Sequence, residues 1–94
     1  MATKEWRLVY APGGTGTSDD DILIAGYGSI SITGIGTATI VLQRFLEGEN
    51  EGWQDVDSFT ANQEDWVFDP VGHRYRFKCT AFTSGAIKCI LEKT

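Results

Sequence analysis

The stretch from Gly72 to Lys93, GHRYRFKCTAFTSGAIKCILEK, constrains the fold more than any other part of this chain. Apolar and polar residues alternate in two runs on either side of Thr83-Ser84-Gly85, the pattern of strands with one buried face. With those three residues as a hairpin loop and Gly85 left-handed, Cys79 faces Cys89 and Phe77 faces Leu91. One face then holds Tyr75, Phe77, Cys79, Ala81, Ile87, Cys89 and Leu91. The other carries Arg74, Arg76, Lys78 and Thr80 against Lys88, Ile90 and Glu92, with Arg76 opposite Glu92. A two-residue loop would slip the register by one and turn Lys88 into the core, where an unpaired ammonium is costly. The pattern therefore predicts a C-terminal β-hairpin with a three-residue loop.

The rest of the chain repeats this style in shorter pieces. Glu5 to Tyr10 alternates, with Trp6, Leu8 and Tyr10 on one side. Ile22 to Ala25 is a short apolar run. Ser29 to Thr33 points Ile30 and Ile32 inward, and Thr37 to Phe45 does the same with Ala38, Ile40 and Leu42. Trp53 to Val56 and Trp66 to Phe68 open two further runs, the second stopped by Asp69-Pro70. With 11 glycines, 2 prolines and no sustained helical periodicity, the chain predicts an all-β class. Turn signals separate about seven or eight short strands, the spacing of a β-sandwich, immunoglobulin/fibronectin-like or jelly-roll-like. A length of 94 residues fits one domain. Residues 1–4 and 11–21 are polar or glycine-rich and are candidate docking arms.

Chemical motifs are sparse. Gly13, Gly14 and Gly16 lack the lysine and following helix of a phosphate loop and read as turn residues. Asp19, Asp20 and Asp21 are consecutive and cannot all point at one ion, so a solvated acidic loop is expected, with no cofactor. His73, the only histidine, has no recognisable carboxylate to orient it. No spacing selects a carboxylate pair, and the chain is expected not to be an enzyme. Cys79 and Cys89 read as two buried thiols. Cross-strand placement would also allow a bridge in an oxidising medium. With one histidine, a zinc site is not expected. Tyr75, following Gly72, suits a corner tyrosine whose hydroxyl bonds back to the backbone; an ordinary half-buried tyrosine is the other reading. The Gln43 to Val56 region resembles the Asp-box hairpin of sialidase-type propellers in shape only, with Phe45 and Glu47 at its serine and aspartate positions.

A net charge of -5 argues against generic nucleic-acid binding. No apolar run approaches the roughly 20 residues of a membrane span, and Met1 to Glu5 leads into a strand without a leader pattern. Synthesis in a cytoplasm is expected. Against the acidic background, Arg74, Arg76, Lys78 and Lys88 form a basic stripe suited to an acidic partner surface. Trp53 and Trp66 are candidate sugar-stacking or interface residues.

Leu42-Gln43-Arg44, Trp53-Gln54-Asp55-Val56, Tyr75-Arg76-Phe77 and Cys79 to Gly85 (CTAFTSG), in this order, resemble small virion proteins of tailed bacteriophages. The likeness covers roughly the C-terminal two thirds of the chain. Glu47 to Gly52 replaces the glycine-rich, aspartate-containing turn usual in that group. The resemblance implies a structural protein of the virion, most simply a capsid decoration (cement) protein on the outside of the head. Its partners would be the major capsid protein or other virion proteins, and it would be a homo-oligomer. A head-completion or tail component is the alternative. A carbohydrate-binding module for host adhesion is a third reading.

Overall fold

The computed structural model describes residues 6–47 and 52–93, and these are all-β. Five strands follow in order: β1 (Arg7–Tyr10), β2 (Gly16–Thr17), β3 (Ile22–Leu46), β4 (Gly52–Phe59) and β5 (Gln63–Lys93). They form one sheet in the order β1-β5-β3-β4, with β2 also on β5. Every ladder is antiparallel, because partner numbers fall along one strand as they rise along the other. The expected residues 1–4, Glu5, and the turn centre at 48–51 lie outside the described residues.

The two long strands correct the expected hairpin. Residues 75–93 do not fold back on themselves. They pair with β3 from Arg44 down to Gly28, so that Arg44 meets Tyr75, Ile40 meets Cys79, Ile32 meets Cys89 and Gly28 meets Lys93. Cys79 and Cys89 are therefore not register partners. Thr83-Ser84-Gly85 is a bend inside β5, matched by a bend in β3 at Gly34 to Gly36. Gly34 and Gly85 have φ of 71° and 138°. A Cβ at Gly34 would strike the Ala86 carbonyl, and one at Gly85 would lie 2.8 Å from the Gly36 nitrogen. Glycine faces glycine, so both strands turn together without losing their pairing. A hairpin would have satisfied the same alternation locally. The longer β3 ladder wins by pairing both runs on either side of the bend.

These bends also explain why five continuous strands replace the expected seven or eight. The same β3 meets residues 63–69 through Ile32 to Gly26, and residues 73–75 through Ile24 to Ile22. Between these stretches Ala25 alone opposes Pro70, Val71 and Gly72. The ladder shifts there without breaking the strand.

One face of the sheet carries the core. Leu8, Ile22, Ile24, Ile30, Ile32, Ala38, Ile40, Leu42, Phe59, Tyr75, Phe77, Cys79, Ile87, Cys89 and Leu91 form a single buried cluster. With no helix among the described residues to cover it, the sheet curls and packs this face against itself. The alternation correctly picks nearly all of these residues. Ala81 is the exception. Ile40 pairs with Cys79 but Thr39 with Ala81, so Thr80 is an extra residue in the ladder. That bulge turns Ala81 outward and lets Phe82 pack on the core.

Candidate functional site

The bend at Asp69 is built around a buried carboxylate. Asp69 is 3% exposed, and Oδ1 accepts the N–H groups of Val71 at 3.2 Å and Gly72 at 2.9 Å. Its Oδ2 accepts Nδ1–H of His73 at 2.5 Å and the Tyr75 hydroxyl at 2.8 Å. Because an ionised carboxylate only accepts, the His73 proton sits on Nδ1. Burial pushes the Asp69 carboxyl up, but the Gly72, His73 and Tyr75 hydrogen bonds outweigh it and hold it below its ordinary value. The Tyr75 hydroxyl is raised, first by burial and then by its bond to Asp69. Neither sequence reading of Tyr75 holds as made: its hydroxyl bonds to the Asp69 side chain and not to backbone, and the residue is fully and not half buried. His73 does have a carboxylate orienter. The signal in the sequence is Asp69 four residues before His73 and six before Tyr75, where Asp69-Pro70 reads only as a stop.

The expected basic stripe is divided. Arg74 donates from Nε to Asp21 at 2.5 Å, so Asp21 is half-buried and paired, not a member of a solvated acidic run. Arg76 donates from Nε to Gln43 Oε1 at 2.8 Å, and its guanidinium lies 4.2 Å from the centre of the Trp53 ring. Gln43 is itself buried and donates to Asp55 at 2.8 Å. Phe45 meets Trp53 edge-on at 5.3 Å. Trp53 is thus occupied on its surface by Arg76 and Phe45. Glu92 pairs with Arg7 at 3.1 Å, not with Arg76. Lys78 lies opposite Thr17 and Val41, whereas Lys88 lies beyond the Gly85 bend, opposite Thr33.

The segment 11–21, expected as a docking arm, is fastened to β5. The Ser18 N–H donates to the Phe77 carbonyl at 2.9 Å, and the Ser18 hydroxyl accepts the Phe77 N–H at 3.2 Å. The Tyr10 hydroxyl donates to the Gly16 carbonyl at 3.0 Å. Cys79 and Cys89 are both free thiols in the core. Burial, with Cys79 beside it, pushes the Cys89 thiol up to about 12. Among the described residues, no three or more His, Cys, Asp or Glu side chains are grouped to hold a metal ion.

Trp66 stands apart from Trp53. It is 64% exposed, with Phe68 at 59% two residues on and Tyr27 directly across from Phe68. The Tyr27 and Phe68 rings meet at 4.6 Å. Val71 follows, still more exposed. Exposed aromatic and aliphatic side chains thus cluster along residues 66–71; the sequence reading names Trp66 as a candidate interface residue but not Phe68, Tyr27 or Val71. No family model, curated protein or solved structure matches the chain.

Proposed function

We propose that this chain is a structural protein of a bacteriophage virion, a capsid decoration protein on the outer surface of the head that works as a homo-oligomer. Its curled sheet is, in this reading, a small β-sandwich closed by the two bends. The observation that carries the assembly role is the exposed strip of Trp66, Phe68, Tyr27 and Val71. Clustered aromatic side chains at this exposure mark a surface that another molecule covers. The virion context rests on the resemblance of the LQR, W-x-DV, YRF and CTAFTSG stretches.

The capsid is met through the outer face of β5, where an acidic head surface supplies the complement. Arg74 and Arg76, each already bonded within the chain, add their charge there to that of Lys78 and Lys88. Copy number per purified particle, measured by quantitative mass spectrometry, tests the role. Copies on the scale of the capsid lattice support decoration, whereas a single ring's worth moves the chain to the head-completion or tail reading. Reversing charge at Arg76 and Lys88 together is expected to weaken particle binding and flatten its salt dependence. Unchanged binding would remove the stripe from the contact.

The exposure of Trp66 favours one further reading, a sugar-stacking platform for host adhesion. Trp53, under Arg76, is the weaker candidate. Glycan-array binding lost in Trp66→Ala, with the fold retained, would favour that reading over decoration.

A further inference from the structure

We infer that residues 63–69 of β5 are a self-pairing edge, which adds antiparallel to the same strand of a second copy about a two-fold axis at Trp66. This takes up the assembly strip of the proposed function, but it concerns the isolated chain and needs no particle.

Among the described residues, 63–69 pair only with β3, leaving their other side open. The Trp66 N–H is bonded to the Asp65 carboxylate at 2.8 Å and not to Ser29 across the ladder. It therefore points to the open side, and the antiparallel alternation sends the backbone groups of Glu64 and Phe68 the same way. An open edge beside an exposed Trp and Phe is a ready template for another strand.

Among self-pairings, charge selects the register. Outward N–H groups on Glu64, Trp66 and Phe68 allow self-pairings that match these positions with one another. Placing Trp66 opposite Trp66 of the second copy puts Glu64 against Phe68, Asp65 against Val67 and Gln63 against Asp69, so no carboxylate faces another. Moving one step one way sets Asp65 against Asp65, and one step the other way sets Asp65 against Asp69; like charges directly opposed are unfavourable. The Trp66-centred register also brings the two tryptophan side chains together on the exposed face.

Asp65 has a second part. Its carboxylate holds the central N–H that the incoming strand must take, so it restrains the pairing it borders. Asp57 does the same for the Ser58 N–H, at 2.8 Å, on the β4 edge.

The test is disulfide trapping in the purified chain. The native Cys79 and Cys89 are buried and do not compete. Trp66→Cys is expected to form an intermolecular disulfide on mild oxidation, since a hydrogen-bonded antiparallel pair has Cα atoms about 5.5 Å apart. Glu64→Cys alone is expected to give little, whereas Glu64→Cys mixed with Phe68→Cys cross-links. Equal trapping of Trp66→Cys and Glu64→Cys, or none in any combination, overturns the register and the interface. Sedimentation tests the restraint. Asp65→Ala should tighten self-association about tenfold, while Asp65→Asn, which keeps the acceptor oxygen, should not. Association unchanged in Asp65→Ala removes the restraint. Trapping in the expected pattern from a chain absent from virions would sink the virion reading and leave this one standing.

Discussion

At Gly34, Gly36 and Gly85 the two long strands bend where side chains are missing. At Asp69 they bend around a side chain that gathers donors from Val71, Gly72, His73 and Tyr75. The first bend depends on empty space and has no tolerance for added atoms. The second depends on charge and hydrogen bonding and has a chemical condition attached, the ionisation of one carboxylate. A fold with two such corners responds to volume at one and to pH at the other.

The comparison breaks most sharply at Gly34. Gly34→Ala adds a Cβ that meets the Ala86 carbonyl, at a φ that L-residues disfavour, and should cost on the order of 3 kcal/mol or prevent folding. Denaturant melts read this directly, with Gly13→Ala as the control, because a Cβ at Gly13 meets nothing within 4 Å. At the other corner, Asp69→Ala leaves the Tyr75 hydroxyl and the Gly72 N–H without their acceptor and should cost about 2–3 kcal/mol. Thermal melts compared with Gly34→Ala then rank the two corners. A loss below that of a surface substitution would show that the carboxylate is dispensable.

Acid sharpens the distinction further. The folded Asp69 pKa is depressed, so its contribution to stability is present above the unfolded value and is lost as pH falls through the lower, folded value. Wild-type stability should therefore decline below the ordinary carboxylate range, and Asp69→Asn should flatten that part of the profile. The glycine corner adds no slope of its own. Tyr75→Phe removes one donor from Asp69 and should cost about 1 kcal/mol, measured by urea unfolding. The smallest effect is expected at Arg74→Ala. Its ion pair with Asp21 is partly exposed, and its loss should lower the unfolding free energy by less than about 1 kcal/mol in urea melts.

Much of this fold is legible in the sequence because a strand writes its buried face at period two. Ile30 and Ile32, Ala38 to Leu42, and Tyr75 to Cys79 are read correctly on that basis alone. Alternation does not name a strand's partner. Residues 75–93 alternate equally well as a hairpin or as one strand bent against β3. Only the facing Gly34, Gly36 and Gly85 distinguish the two, through contacts between residues far apart in the chain. The Asp69 corner was hidden for a related reason: Asp-Pro is a common stop, and its role depends on where Tyr75 returns. Exposure was harder still. Trp53 and Trp66 both open β runs, yet one lies under an arginine supplied by another strand and the other does not.

The pairing of Gly28 with Lys93 has a consequence for how the molecule is made. The core face of β3 is lined by partners from β5, which follows β3 and β4 in the chain and so is synthesised after both. Little of the sheet is worth forming before then, since early pairs would fix a long loop with few contacts in return. Folding is therefore expected to wait for β5 and then proceed slowly. A nascent chain halted before Tyr75 would hold its isoleucines exposed, so the interval between synthesis and folding is when this protein is most open to aggregation.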